Sequence, residues 1–110
     1  MTMLGALTFT GASKTVYLFD LFHWGDDFDP AGAVYLILNR QRKEGGGHTH
    51  ELILVGQTSA LSSGSGAHLK ADCLREHIPN CIGVLLEDNR ERRLAIERDL
   101  IESYHPPCNR

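Results

Sequence analysis

Six apolar residues follow one another at positions 33–38, AVYLIL, and no other stretch restricts the fold as much. Neighbouring side chains of a strand point to opposite faces, so a strand apolar at every position must be covered on both. Residues 33–38 are therefore expected to form a central strand. Three further runs carry strand signals: TVYLFDLFH at 15–23, ELILVG at 51–56 and IGVLLE at 82–87, all rich in β-branched, aromatic or aliphatic residues. WGDDFDPAG is a turn by its Gly, Asp and Pro content. NRQRKEGGGHTH, with three consecutive glycines, reads as a polar loop joining the second and third strands in a hairpin.

SALSSGSG follows as a flexible Ser/Gly segment. Ala67, Ala71, Leu74 and Ile78 then recur with helical spacing, and Pro79 ends that helix. Asp88 or Asn89 caps a last helix that runs to about Tyr104 and stops before Pro106 and Pro107. The first dozen residues carry no clear pattern and are expected as a frayed or loosely paired end. This order predicts one α+β domain over residues 1–110. Its sheet is expected to be small and mainly antiparallel, of about three to four strands, flanked by helices.

A chain of 110 residues with 42% apolar and 23% charged content fits one globular domain with a modest core. No apolar run is long enough to span a bilayer as a helix. The opening MTMLGALTFTGASK has no basic residue ahead of its apolar stretch and matches a signal peptide poorly, so a cytoplasmic location is expected. Three cysteines, Cys73, Cys81 and Cys108, are odd in number and sparse, which fits reduced thiols better than a disulfide framework. The formal net charge of −3 gives no general attraction to a polyanion. Nucleic-acid binding would need a local basic patch.

One residue of the last helix does not belong where the pattern puts it. On a helical wheel Leu94, Ile96, Leu100, Ile101 and Tyr104 share one broad face, and Glu97 falls near its middle. A buried carboxylate needs a cationic partner, because lost hydration costs several kcal/mol. Two partners are available: Arg93, one turn back, or a bound metal ion.

Several residues taken in order resemble the GIY-YIG nuclease superfamily, from about Thr15 to Asn109. They are AVY in the second strand, LVGQT ending the third, Leu61, His68, Glu97 followed by Leu100 and Ile101, and the closing PPCN. The resemblance implies that Tyr35 is the tyrosine of the first motif, near the attacking water. It implies that Glu97 holds the divalent metal, and that His68 and Asn109 are further site residues. Departures are equally specific. Ala33 stands where the first motif has glycine, with Gly32 just ahead, and Leu54 stands where the second motif has tyrosine. Gly64 stands where the family places a helix arginine.

Phosphodiester hydrolysis needs a nucleophilic water, a cation near the non-bridging oxygens and stabilisation of the leaving oxygen. By this resemblance Glu97 would hold Mg²⁺ or Mn²⁺, since carboxylate oxygens suit hard ions, and Tyr35 and His68 would position or deprotonate water. Losing one preorganised donor such as the arginine typically costs about 10²–10³ in rate. Arg40, Arg42, Arg75 and Arg93 are the candidates to replace it. The leading expectation is a degenerate GIY-YIG-like protein, weakly catalytic or inactive, that keeps DNA, RNA or partner binding. The alternatives are an active metal-dependent endonuclease with a substitute arginine, and an interaction module in which Glu97 merely pairs with Arg93.

Other constellations are read more plainly. His48 and His50 border the Gly-rich loop as exposed histidines. Cys73, His77, Cys81 and Cys108 match no common zinc spacing, and Cys73 and Cys81 are expected as small core residues. Arg90, Arg92, Arg93 and Arg98 make the last helix locally basic, but interleaved Glu91, Asp99 and Glu102 give it an ordinary solvated face.

Overall fold

The computed structural model describes residues 3–62 and 71–109. The chain forms strands β1 (Gly5–Thr10), β2 (Val16–His23), β3 (Ala33–Arg42) and β4 (His48–Thr58), then helix α1 (Ala71–His77). Strand β5 (Cys81–Leu86), helix α2 (Arg90–Tyr104) and a 3-10 turn at Pro107–Asn109 complete it. All pairings are antiparallel, in the order β1-β2-β5-β3-β4. The α+β class is as expected, but the sheet has five strands, not three to four.

The added strand is β1, in the stretch expected to fray. Leu7 and Phe9 turn inward while Ala6, Thr8 and Thr10 stay exposed, a half-buried alternation suited to an edge strand. Weak propensity at Gly5 and Ala6 hides it in the sequence, and pairing with β2 over the whole of β1 supplies what propensity does not. The Gly-rich loop is also shorter than expected. Strands β3 and β4 continue through their polar ends, with Arg40 opposite His50 and Arg42 opposite His48, leaving residues 43–47 as the turn. Gly45, Gly46 and Gly47 all adopt positive φ there, which only glycine accepts in succession.

The all-apolar run behaves as a two-faced central strand. Val34, Leu36 and Leu38 enter one core with Phe9, Phe19, Leu21, Ile96 and Leu100, beneath α2. Ala33, Tyr35 and Ile37 enter a second core on the opposite face, with Leu54, Leu61, Leu74, Ile82, Val84 and Cys108. Cores on both faces explain why a chain this short can hold so apolar a strand.

Helix α2 starts where the capping residues place it. Asn89 accepts a bond from the Arg92 backbone N–H at 3.0 Å, and Glu87 pairs with Arg92 at 3.2 Å. Its outer side is pinned to the first hairpin. Asp99 accepts the Ser13 backbone N–H at 2.8 Å, the Ser13 hydroxyl at 2.6 Å and the Tyr17 hydroxyl at 2.7 Å. These bonds hold the Asp99 carboxyl below the usual range. Ser13 and Thr10 thus fix the roll of the helix, with Ser103 donating to the Thr10 carbonyl at 2.8 Å. No helix among the described residues is long and apolar enough to cross a membrane.

Candidate active site around Glu97 and Tyr35

The roll of α2 decides which residues enter the sheet. Arg93, Ile96 and Leu100 are buried, with Arg93 only 4% exposed. Arg93 lies within about 20° of Leu100 on the wheel, since seven residues make nearly two turns. An arginine therefore occupies the centre of the inward face, and Glu97 lies on its flank, half-buried. The wheel placed the acid inside correctly but gave it the central place that belongs to Arg93.

Arg93 and Glu97 do not form the expected helix pair. The Arg93 Nε donates to Gln57 Oε1 at 3.0 Å, and Nη1 donates to the Glu87 carbonyl at 3.0 Å and the Asp88 carbonyl at 2.8 Å. The guanidinium thus closes the turn between β5 and α2, whose carbonyls face inward, and ties it to β4. Its fork suits several acceptors at once, which an exposed pair with a neighbouring carboxylate would not use. Gly32 is part of the same fit: a Cβ there would lie 2.6 Å from Arg93 Nη1 and 2.6 Å from the Glu87 carbonyl.

Glu97 is left with no cationic partner among the described residues. Burial pushes its carboxyl above the ordinary range. Its charge is felt by Tyr35, whose phenol is raised first by burial and then by Glu97. Tyr35 sits on the face of β3 opposite α2. Tyr35 pairs with Gly56 on edge strand β4, and its ring leans over that glycine. A Cβ at Gly56 would lie 2.3 Å from Tyr35 Cζ and 2.4 Å from its hydroxyl oxygen. Gly56 therefore lets the phenol reach the sheet edge, while Gln57, one residue on, faces α2 and holds Arg93.

Asn109 is engaged at the same edge. Its side-chain amide donates to the Val55 carbonyl at 2.8 Å and accepts the Val55 N–H at 2.8 Å, so it pairs with β4 as a further strand residue would. This employs both amide atoms and fixes the C-terminal turn against β4. Leu54, where the resemblance calls for a second tyrosine, is buried in the core with Tyr35 and brings no hydroxyl. His68 and Gly64 lie outside the described residues.

The arginine candidates separate. Arg40 and Arg42 lie five and seven residues along β3 from Tyr35, roughly 17 and 23 Å at strand rise. Arg75 is exposed and pairs with Asp72. Arg93 alone stands one turn from Glu97, and its Nε and Nη1 donors are already committed. Sequence reasoning missed Gln57 and Gly32 as its partners. An arginine wheel position beside Leu100 was the available signal.

Among the described residues Glu97 belongs to no group of three or more possible metal ligands. A half-buried carboxylate without a cation fits a hard divalent ion held through one protein oxygen, several waters and a phosphate, the manner in which Mg²⁺ is usually bound. Among the described residues the three-donor group is Cys73, His77 and Cys108. There the reduced-thiol expectation is overturned, because Cys73 and Cys108 form a disulfide across 35 positions. Cys73 is accordingly no mere core filler. Cys81 is the free cysteine, buried in β5, with burial pushing its thiol up to about 11. His48 and His50 line up on β4 beside Arg40, and both are lowered, by desolvation first and by that neighbouring cation next.

Fold and site together define a small α+β domain with a five-stranded antiparallel sheet and a half-buried acid on its last helix that has no cationic partner among the described residues. In comparisons with protein-family models, curated proteins and solved structures, nothing matches this chain.

Proposed function

We propose that this chain is a divergent GIY-YIG-fold protein that binds DNA or RNA, or a partner, through a reduced site at Glu97 and Tyr35, with weak or no phosphodiester cleavage. One observation carries the reading: Glu97 is half-buried on the flank of α2 with no cationic partner among the described residues, and its charge is felt by Tyr35. Bound there, Mg²⁺ or Mn²⁺ would supply positive charge to a phosphate oxygen. Tyr35 would orient a water by donating its hydroxyl hydrogen. Its raised phenol keeps that proton at neutral pH, which suits positioning better than proton removal.

Weak catalysis follows from the neighbours. Arg93 is committed to carbonyls and Gln57, Leu54 supplies no hydroxyl, and Asn109 is consumed on Val55. A cytoplasmic location belongs to this reading, as the compartment where nucleic acid is met. The alternative, an active endonuclease, is favoured only by the position of Arg93 one turn from Glu97. Titrating Mg²⁺ and Mn²⁺ into a cleavage assay on mixed DNA and RNA, with wild type and Glu97→Ala, separates the two. Metal-dependent binding with little cleavage, lost in Glu97→Ala, supports the proposal. Robust cleavage abolished by Glu97→Ala establishes the active enzyme instead, and binding indifferent to both metal and substitution removes the site.

A further inference from the structure

The disulfide lies beside an imidazole, and the three side chains form a cluster on the sheet face opposite α2. Cys73 and His77 are four residues apart on α1 and so share one helical face. Cys108 reaches them from the C-terminal turn, and one donor atom from each of the three lies within 4.8 Å of the others. Two thiolates and an imidazole are the ligands that zinc prefers. At usual Zn–S and Zn–N lengths, donors on one tetrahedral ion stand roughly 3.5–3.8 Å apart, so small side-chain adjustments would suffice.

Two further features fit a metal better than a plain covalent staple. The His77 Nδ1 is held by Glu51 Oε1 at 3.1 Å, which leaves Nε2 as the ring nitrogen able to coordinate. A carboxylate on the far nitrogen is the usual orienting partner of a metal-bound histidine. An open cleft of about 330 Å³ lies beside His77, lined also by Glu51, Glu76 and His50, and gives water access to the imidazole side of the cluster. Cys81 takes no part, since it lies in the other core.

We propose that Cys73, Cys108 and His77 form a zinc site when the disulfide is reduced, so that one cross-link between α1 and the C-terminal turn exists in two chemical forms. A cellular dithiol would supply the two electrons and two protons that convert the disulfide to two thiols, itself becoming a disulfide. Zinc then displaces both thiol protons and binds the two thiolates and neutral His77. The cross-link thereby survives in a reducing compartment, where a disulfide alone would not. This site does not rest on the Glu97 reading: its ligands are different, although Cys108 shares the C-terminal turn with Asn109 and Glu51 shares β4 with Gly56.

The test uses the full chain, oxidised and reduced, with zinc uptake measured by competition against a chromophoric chelator and cobalt as the spectroscopic probe. The reduced protein is expected to bind one zinc per chain with release of about two protons, and the oxidised protein none. Cobalt should give a thiolate charge-transfer band with tetrahedral d–d absorption. Glu51→Gln should weaken zinc binding about 10–100-fold with the ligands intact. His77→Ala, which leaves both cysteines in place, should abolish stoichiometric uptake. Absence of uptake by the reduced wild type would overturn the proposal. So would cobalt binding without a thiolate band, or equal affinity in His77→Ala.

Discussion

Replacing Arg93 by lysine and by methionine separates two opposing costs at the turn between β5 and α2. The native guanidinium is 4% exposed and makes three donations, all to neutral oxygens. Lysine keeps the charge but offers one compact ammonium, which can serve the Glu87 and Asp88 carbonyls or Gln57, not both places. A hydrogen bond to a charged group contributes about 1.5–3 kcal/mol, so Arg93→Lys is expected to lose about that much. Methionine removes the charge and its desolvation cost but orphans the acceptors. Replacing a buried ion pair with apolar groups is often neutral, because both partners disappear together. Here the backbone carbonyls remain, and each buried, unsatisfied acceptor costs about 1–3 kcal/mol. Arg93→Met is therefore expected to lose about 2–4 kcal/mol after relief of the buried charge.

Urea unfolding followed by circular dichroism reads both values, provided the denaturant slope is unchanged. A domain of this size holds only about 5–15 kcal/mol, so the shifts in midpoint should be large. A double-mutant cycle with Glu97→Gln adds a second check. Coupling should not exceed that of an exposed helix pair, about 0.3–0.5 kcal/mol, because Arg93 is turned to other acceptors. An Arg93→Met variant as stable as wild type, or strong coupling to Glu97, would refute this account of the turn.

Two further outcomes follow from the site. Glu97 has a raised carboxyl in the folded state, so the native form holds its proton more tightly than the unfolded chain does. Wild type should therefore lose stability relative to Glu97→Gln as pH rises from the ordinary carboxyl range through the raised value. The gap should close below that ordinary range, and thermal unfolding across pH 3–7 (about the range where carboxyls titrate) measures it; a gap independent of pH would contradict the burial. At Gly56, alanine would place a Cβ 2.3 Å from Tyr35 Cζ, so Gly56→Ala should cost about 1–3 kcal/mol and swing the ring away from Glu97. The Tyr35 phenol should then titrate nearer its ordinary value by ultraviolet absorption, and an unchanged titration would show that the ring does not lean over the glycine.

Much of this architecture is legible in the residues, and the failures have identifiable causes. The run at 33–38 demanded cover on both faces, and the two cores supply it. Asn89 and the paired prolines bounded α2 because capping is local chemistry. Strand β1 was hidden, since its residues alternate weakly and its stability comes from β2. The polar ends of β3 and β4 looked like loop because Arg40 and His50 pair across strands, which composition does not reveal. Cysteine parity misled, as an odd total still permits one bridge with Cys81 left over. At the site, Glu97 was visible as an acid on an apolar face. The partners of Arg93 were not, because two of them are backbone carbonyls that exist as a feature only once the turn has formed.

The most direct test of the central claim is paramagnetic broadening by Mn²⁺ in amide and side-chain spectra of isotope-labelled protein, wild type against Glu97→Gln. If Glu97 offers an inward carboxylate beside Tyr35, dilute Mn²⁺ should selectively broaden signals of Glu97, Tyr35, Gly56 and Gln57, and the substitution should restore them. Broadening confined to other acids, or unaltered in Glu97→Gln, would mean that no metal is held between α2 and the edge of β4.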